Sequence, residues 1–199
     1  MSEEIAIVPT PPAEAPAASD LQHPNMFRDL VETMVLVAIA FLAINALIGR
    51  FRIEQVSMQP NLHEGEYVIV DKVSYSLRQP ERGEIVVLKN PTPGQPDLIK
   101  RVIGLPGETI EVRGGAAYIN GQPLTEPYIA QPMTTDFPAT LLQANQYFVM
   151  GDNRNNSEDS RRFGARPLSD IVGRAWIIYW PPAEWQILSR PTYAAPATP

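Results

Sequence analysis

The chain has 199 residues, no cysteine, and only two histidines, His23 and His63. Without cysteine there is no disulfide framework, no thiolate nucleophile, no cysteine-based zinc site and no iron–sulfur cluster. Two histidines exclude a multi-histidine metal centre. Basic runs are also missing: of 16 Lys and Arg residues only three are lysines, and the formal net charge is −6. Six acids, Glu3, Glu4, Glu14, Asp20, Asp29 and Glu32, face Arg28 alone in the first 32 residues, so the remainder is close to neutral. A near-neutral body without a basic stripe offers no footprint for nucleic acid. The GxSxG elbow, the P-loop, GxGxxG and HExxH are all absent.

What is present falls into consecutive parts. Residues 1–25 are rich in proline, alanine and acids, cannot bury enough surface to offset ordering entropy, and read as a disordered tail. From Thr33 to Gly49 the run TMVLVAIAFLAINALIG carries no charge, with Glu32 and Arg50 as its bounds. Its only polar residues are Thr33 and Asn45, so it lacks the polar face of a surface helix or a half-buried core helix. A cleaved secretory signal begins nearer the N-terminus behind a basic flank, whereas here the flank is acidic. The expectation is a transmembrane anchor over 31–50. Arg50 and Arg52 after it outnumber Arg28 before it, and that count leans toward a cytoplasmic body, although long domains translocate largely regardless of charge.

Residues 51–188 read as β structure. β-branched or alternating runs occur at 66–73, 83–90, 97–104, 108–113, 116–120, 146–152 and 171–180, separated by Gly, Pro and Asn turns. TIEVR-GG-AAYIN has the form of a hairpin with Gly114-Gly115 as a primed turn. The fold class is mainly β: one N-terminal transmembrane helix followed by an antiparallel, folded-over β domain. Residues 189–199 read as a loose tail. Trp176, Trp180 and Trp185 suit either a membrane interface or the core of the 171–180 strand.

Three places can carry chemistry. Lys72 and Lys89 sit at strand ends, but Lys100 lies mid-strand in LIKRVI, where alternation puts Leu98, Lys100 and Val102 on one face and Ile99, Arg101 and Ile103 on the other. A buried lysine loses its charge readily, and a neutral amine is a general base; an edge-strand lysine snorkelling to water has the same pattern. Ser57 stands in a turn stiffened by Pro60, just beyond the apolar run, as a candidate nucleophile. GDNRNNSEDSRRFG (151–164) is a dense polar loop. It fails calcium spacing, with Arg154, Ser157 and Phe163 where a ligand, the glycine and the closing glutamate belong. Its acids and serines suit support instead, with Asp159 pairing to Arg161 or Arg162 and Ser157 bonding an amine. His63, in a short loop, reads as a turn residue.

In order, SMQPNL (57–62), RGEIVVLKNP (82–91), IKRVIGLPGE (99–108) and GDNRNNSEDSRRFG (151–164) after an apolar anchor resemble the bacterial type I signal peptidases. The resemblance spans roughly residues 30–182 and implies a β domain of long coiled sheets that cuts signal peptides from exported preproteins with neither metal nor cofactor. It implies Ser57 as nucleophile, Lys100 as general base, Ser157 as the hydroxyl positioning that amine, and Asp159 with Arg161 as a supporting pair. Ser57 N–H would serve the oxyanion, joined by Gln55, which stands where many members carry a hydroxyl residue; Met58 would face lipid or substrate. The partners implied are signal peptides and membrane lipid. The setting implied is a single-pass protein of the cell membrane, N-terminus cytoplasmic and catalytic domain outside, against the charge count. Two competing readings share some of these residues: an inactive membrane-tethered module binding extended peptides, and a self-cleaving repressor-type serine–lysine protease.

Overall fold

The uncharged run folds into a helix, α1 (Met26–Leu47), in the computed structural model, which describes residues 26–193. The tail expected over 1–25 lies outside the described residues, as do residues 194–199. Two compact units divide between Ala40 and Phe41. None of the 22 residues of α1 is buried, and at about 1.5 Å per residue the helix is roughly 33 Å long. The two polar side chains of the uncharged run are satisfied on the helix backbone: Thr33 Oγ1 donates to Asp29 O and Asn45 Nδ2 to Phe41 O, each at 2.8 Å. The helix starts earlier than the expected 31–50 and stops at Leu47. Ile48–Arg52 is already strand β1, because Ile48 to Arg52 pair in register with Asp71 to Tyr67.

The unit from Phe41 onward is built of short strands. After β1 come β2 (Tyr67–Asp71), a single helical turn α2 (Ser74–Leu77), β3 (Ile85–Leu88), β4 (Leu98–Gly104), β5 (Thr109–Arg113) and β6 (Ala116–Ile119). These are followed by β7 (Gln122–Pro123), β8 (Phe137–Leu141), β9 (Gln146–Met150), α3 (Ser160–Phe163), β10 (Arg166–Pro167), β11 (Ile171–Trp180) and β12 (Gln186–Ile187). All pairings are antiparallel. The larger sheet runs β1-β2-β11-β3-β4-β9-β10, with β12 added to β11, and the smaller runs β7-β6-β5-β8. Register shifts within β11 and between Val102 and Gly104 of β4 curl the large sheet, as bulges increase local twist. The Gly114-Gly115 hairpin forms as expected. Both residues sit at positive φ, 55° and 84°, which a primed two-residue turn demands.

Strand β4 positions the site. It lies between β3 and β9, and all seven of its residues are buried. Leu98 and Val102 pack with Val86, Tyr147 and Val149 on one face; Ile99 joins Ile53, Val68 and Val87 on the other. A strand covered on both faces reads as a continuous apolar run, and here it holds Lys100 and Arg101 in its middle. The edge-strand alternative for Lys100 is therefore excluded.

Of the tail expected over 189–199, only 189–193 are described; they follow buried Leu188, and Tyr193 OH meets Tyr128 OH at 3.1 Å. All three tryptophans are outside the core, with Trp176 42%, Trp180 53% and Trp185 61% exposed. A buried ion pair ties the β7–β8 connection to the loop after β9: Arg154 Nη1 donates to Glu126 Oε2 at 2.8 Å and Nη2 donates to Oε1. Glu126→Ala strands the Arg154 guanidinium in the interior and is expected to cost about 3–5 kcal/mol, whereas Glu126→Ala with Arg154→Met recovers most of it. Urea unfolding of both variants measures the difference, and equal losses would contradict it.

Candidate active site

Four stretches far apart in the chain converge. β1 hands the chain to residues 53–56, with Ile53 N–H donating to Glu66 O at 2.9 Å, and a helical turn follows in which Asn61 and Leu62 N–H donate to Met58 O at 3.0 Å. Ser57 opens that turn and is 4% exposed. The polar loop after β9 clamps it. Asn153 N–H donates to Ser57 O at 3.0 Å, and Asn153 Nδ2 donates to Val56 O at 3.2 Å. Gly151 lets the two segments meet, for a Cβ there would stand 2.3 Å from Ser157 Oγ and 2.4 Å from Ser57 O.

From the middle of β4, opposite Val86, Lys100 reaches the same point, and its Nζ lies 2.7 Å from Ser57 Oγ. The side chain is fully buried. Burial pulls its pKa from 10.5 down to about 8, while the carboxylates of Asp159, Glu158 and Asp152 oppose the fall. No carboxylate pairs with the amine among the described residues, because each buried one is engaged elsewhere. Asp152 accepts from Arg101 Nε at 2.8 Å and Nη2 at 2.6 Å, and from Asn61 Nδ2 at 2.9 Å. Asp159 accepts from Gly151 N–H at 3.1 Å and from Arg161 Nε and Nη2 at 2.9 and 2.8 Å. Arg101, also stacked 4.1 Å from the Tyr128 ring centroid, is thereby neutralised beside Lys100. A neutral amine against a hydroxyl, in a dry pocket with balanced charges, can take a proton and return it.

Not every expected residue plays the part assigned to it. Asp159 pairs with Arg161 as anticipated and also caps α3 through Arg161 N–H at 3.2 Å. Ser157 makes no hydrogen bond to Lys100: its Oγ is buried without a partner, held against Gly151 while Ser57 occupies the amine. Met58 faces neither lipid nor an open groove; it is fully buried with Ile53, Leu62 and Val68, because the turn after Ser57 directs it inward. Gln55 is exposed and hydrogen-bonds to nothing at the site among the described residues. Among the described residues no group of three or more His, Asp or Glu converges to hold a metal ion. Sequence reasoning missed Asp152, Asn153 and the Glu126–Arg154 pair. Arg101 was the available signal, since a guanidinium in mid-strand requires an acid.

Replacing Lys100 by Met tests the depressed pKa apart from activity. Between pH 8 and 10.5 the folded parent has released a proton that its unfolded chain retains, so its stability rises with pH there. The parent is expected to gain about 3 kcal/mol on Lys100→Met across that window. Denaturant midpoints at several pH values report it, and parallel curves would mean an ordinary lysine.

A family model described as "Signal peptidase, peptidase S26" matches residues 27–180. Signal peptidase I of Leptolyngbya laminosa is 41% identical over 180 residues, covering 86% of this chain and 88% of its own. The probable signal peptidase I-2 of Synechocystis is 42% identical over 164 residues, 79% of this chain and 75% of its own. Signal peptidase I of Bacillus amyloliquefaciens is 37% identical over 159 residues, 74% and 82% respectively. With most of both chains aligned and the β4 and 151–164 segments inside the matched span, this chain belongs to the S26 signal peptidase family.

Proposed function

We propose that this chain is a membrane-anchored serine endopeptidase that removes N-terminal signal peptides from exported preproteins. Ser57 is its nucleophile and neutral Lys100 its general base. The observation that carries this reading is the 2.7 Å contact between a buried amine and a buried hydroxyl, with no carboxylate on the amine among the described residues. As Ser57 Oγ attacks the scissile carbonyl carbon, its proton passes to Lys100 Nζ. The tetrahedral intermediate collapses, the C–N bond breaks, and the ammonium returns the proton to the departing amine of the mature protein. The signal peptide stays esterified to Ser57 until Lys100 takes a proton from water; the hydroxide adds to the ester carbonyl, the bond to Ser57 Oγ breaks, and Lys100 returns the proton to that oxygen as the signal peptide leaves as a carboxylate. Ser57 N–H and, if it turns inward, Gln55 would donate to the oxyanion. Asp159, held by Arg161, supports the loop around the amine, and Ser157, with a spare hydroxyl beside it, would bond Lys100 once Ser57 is acylated.

An extended substrate is suited to the groove between the end of β1 and the start of β4, where main-chain pairing binds and pockets select. A cleft of about 190 Å3 lies there, lined by Phe51, Arg52, Gln55, Asp97 and Ile99 among others. For the membrane, α1 is long and apolar enough to cross a hydrocarbon core of about 30 Å, with its charged residues, Arg28, Asp29 and Glu32, confined to the N-terminal end. Exposed Trp176, Trp180 and Trp185, with exposed Ile187, suit seating on lipid headgroups. On this reading the N-terminus is cytoplasmic and residues 51–199 lie outside.

Detergent-solubilised protein should cut a preprotein whose signal ends in small residues, and Ser57→Ala or Lys100→Ala should each lower the rate by at least about a thousandfold. Full activity in Lys100→Ala would end the dyad reading. Because the neutral amine is the active form, kcat/KM should rise about tenfold per pH unit below 8 and level off above it. A profile flat from pH 6 to 9 would contradict a titrating base. Protease added to spheroplasts should digest the β domain, and the same protease outside inverted vesicles should leave it intact; the reverse pattern would overturn the orientation.

A further inference from the structure

Two clefts meet at Gln55, two residues before Ser57. The first, described above, contains Ile99. The second, about 290 Å3, is lined by Gln55, Asn90, Thr92, Gln95, Leu98 and Glu158, with Pro91 and Phe163 completing its wall. Leu98 and Ile99 are consecutive in β4, so their side chains leave the strand on opposite faces, and they enter different core clusters. The clefts therefore open on opposite faces of one strand end. A peptide passing Gln55 in extended geometry alternates its side chains in the same way. Residues in the phase of the first cleft turn away from the second, and the neighbours of the residue at the cut turn into it.

The second cleft differs in chemistry as well as place. Its lining offers amides and a hydroxyl, and Glu158 is its one charged residue. Glu158 is exposed and forms no ion pair among the described residues. The nearby guanidiniums of Arg154 and Arg161 are committed to Glu126 and Asp159, and exposed Arg162 lines a different cleft that Glu158 also borders. Its carboxylate is also within electrostatic reach of Lys100. An acidic substrate side chain entering here would meet Glu158, and no lysine or arginine is among the residues lining the cleft. A basic one would find a carboxylate and several amide oxygens.

We infer that this cleft is a second substrate subsite, which takes a basic or amide-bearing side chain at the −2 or +1 position of the preprotein and rejects an acidic one, with Glu158 as the determinant. The inference rests on the peptidase reading and adds to it a preference at positions where the first cleft cannot select. Its basis is Glu158, the one charged side chain lining a cleft that reaches Gln55.

The test uses the full chain in detergent and peptides that share one cleavage sequence and differ only in carrying Lys, Gln or Glu at −2 or at +1. The parent should prefer Lys over Glu at one of these positions by about tenfold in kcat/KM at low salt, the sum of one attraction and one repulsion at a partly exposed site. The difference should reside mainly in KM and shrink in high salt. In Glu158→Gln the Lys/Glu ratio should fall to within about twofold, and in Glu158→Lys it should invert. Ratios taken within one variant cancel any effect of residue 158 on the Lys100 amine. A parent that shows no charge preference at either position, or a Glu158→Gln variant that keeps the parent's ratio, overturns the subsite. If the Gln peptides are not cut by the parent in a Ser57-dependent way, the peptidase reading itself has failed.

Discussion

The cost of keeping an amine out of water governs the arrangement around Lys100. Moving its pKa from 10.5 to about 8 corresponds to roughly 3 kcal/mol of differential solvation, a large share of the 5–15 kcal/mol that holds an ordinary domain folded. The structure imposes that cost by covering the amine on every side: β3 and β9 pair with both edges of β4, and apolar clusters cover both of its faces. A carboxylate bonded to Nζ would have removed the penalty and, with it, any use of the amine as a base. Ser57 is a partner that satisfies the nitrogen without fixing its charge.

Negative charge is nevertheless close by, and its handling decides where the pKa comes to rest. Asp152 and Asp159 are both fully buried, and each faces an arginine that it binds through two contacts. Such paired charges act on Lys100 largely as dipoles, weaker at a distance than a bare carboxylate. Desolvation therefore outweighs the carboxylates but does not run unopposed. An amine that loses its proton near pH 8 is mostly protonated at neutral pH, yet it retains enough basicity to accept a hydroxyl proton.

Much of this was legible in the sequence. Strands marked by β-branched runs and Gly-containing turns formed close to their expected limits, and the Gly114-Gly115 hairpin needed no tertiary information. Lys100 stood out because a lysine inside LIKRVI has few bland explanations. What was not legible depends on contacts distant in the chain. β1 takes its pairing from β2, so an apolar pattern continuous with the helix gave no sign that Leu47 is its end. β8, with Pro138 and a largely exposed face, lacks the alternation that identifies a strand. Met58 and Ser57 are adjacent in sequence, but the tight turn sends one into the core and leaves the other at the groove.

The smaller sheet holds none of the residues proposed for chemistry, yet the site depends on the connection between its strands β7 and β8. Asn61, in the turn after Ser57, donates to Tyr128 O at 2.7 Å, and Tyr128 lies under the Arg101 guanidinium. Glu126, two residues before Tyr128, anchors Arg154, whose Nε in turn donates to Gly151 O at 3.0 Å. Gly151 is the residue on which the Ser57 carbonyl and Ser157 both rest. The 126–128 segment thus contacts both the Ser57 turn and the polar loop. Hydroxyl and amine must be held to a few tenths of an ångström for proton transfer, and short strands alone do not supply that rigidity. A network of buried arginines, each with its carboxylate, does so at the cost of desolvating them, which is reasonable where position matters more than stability.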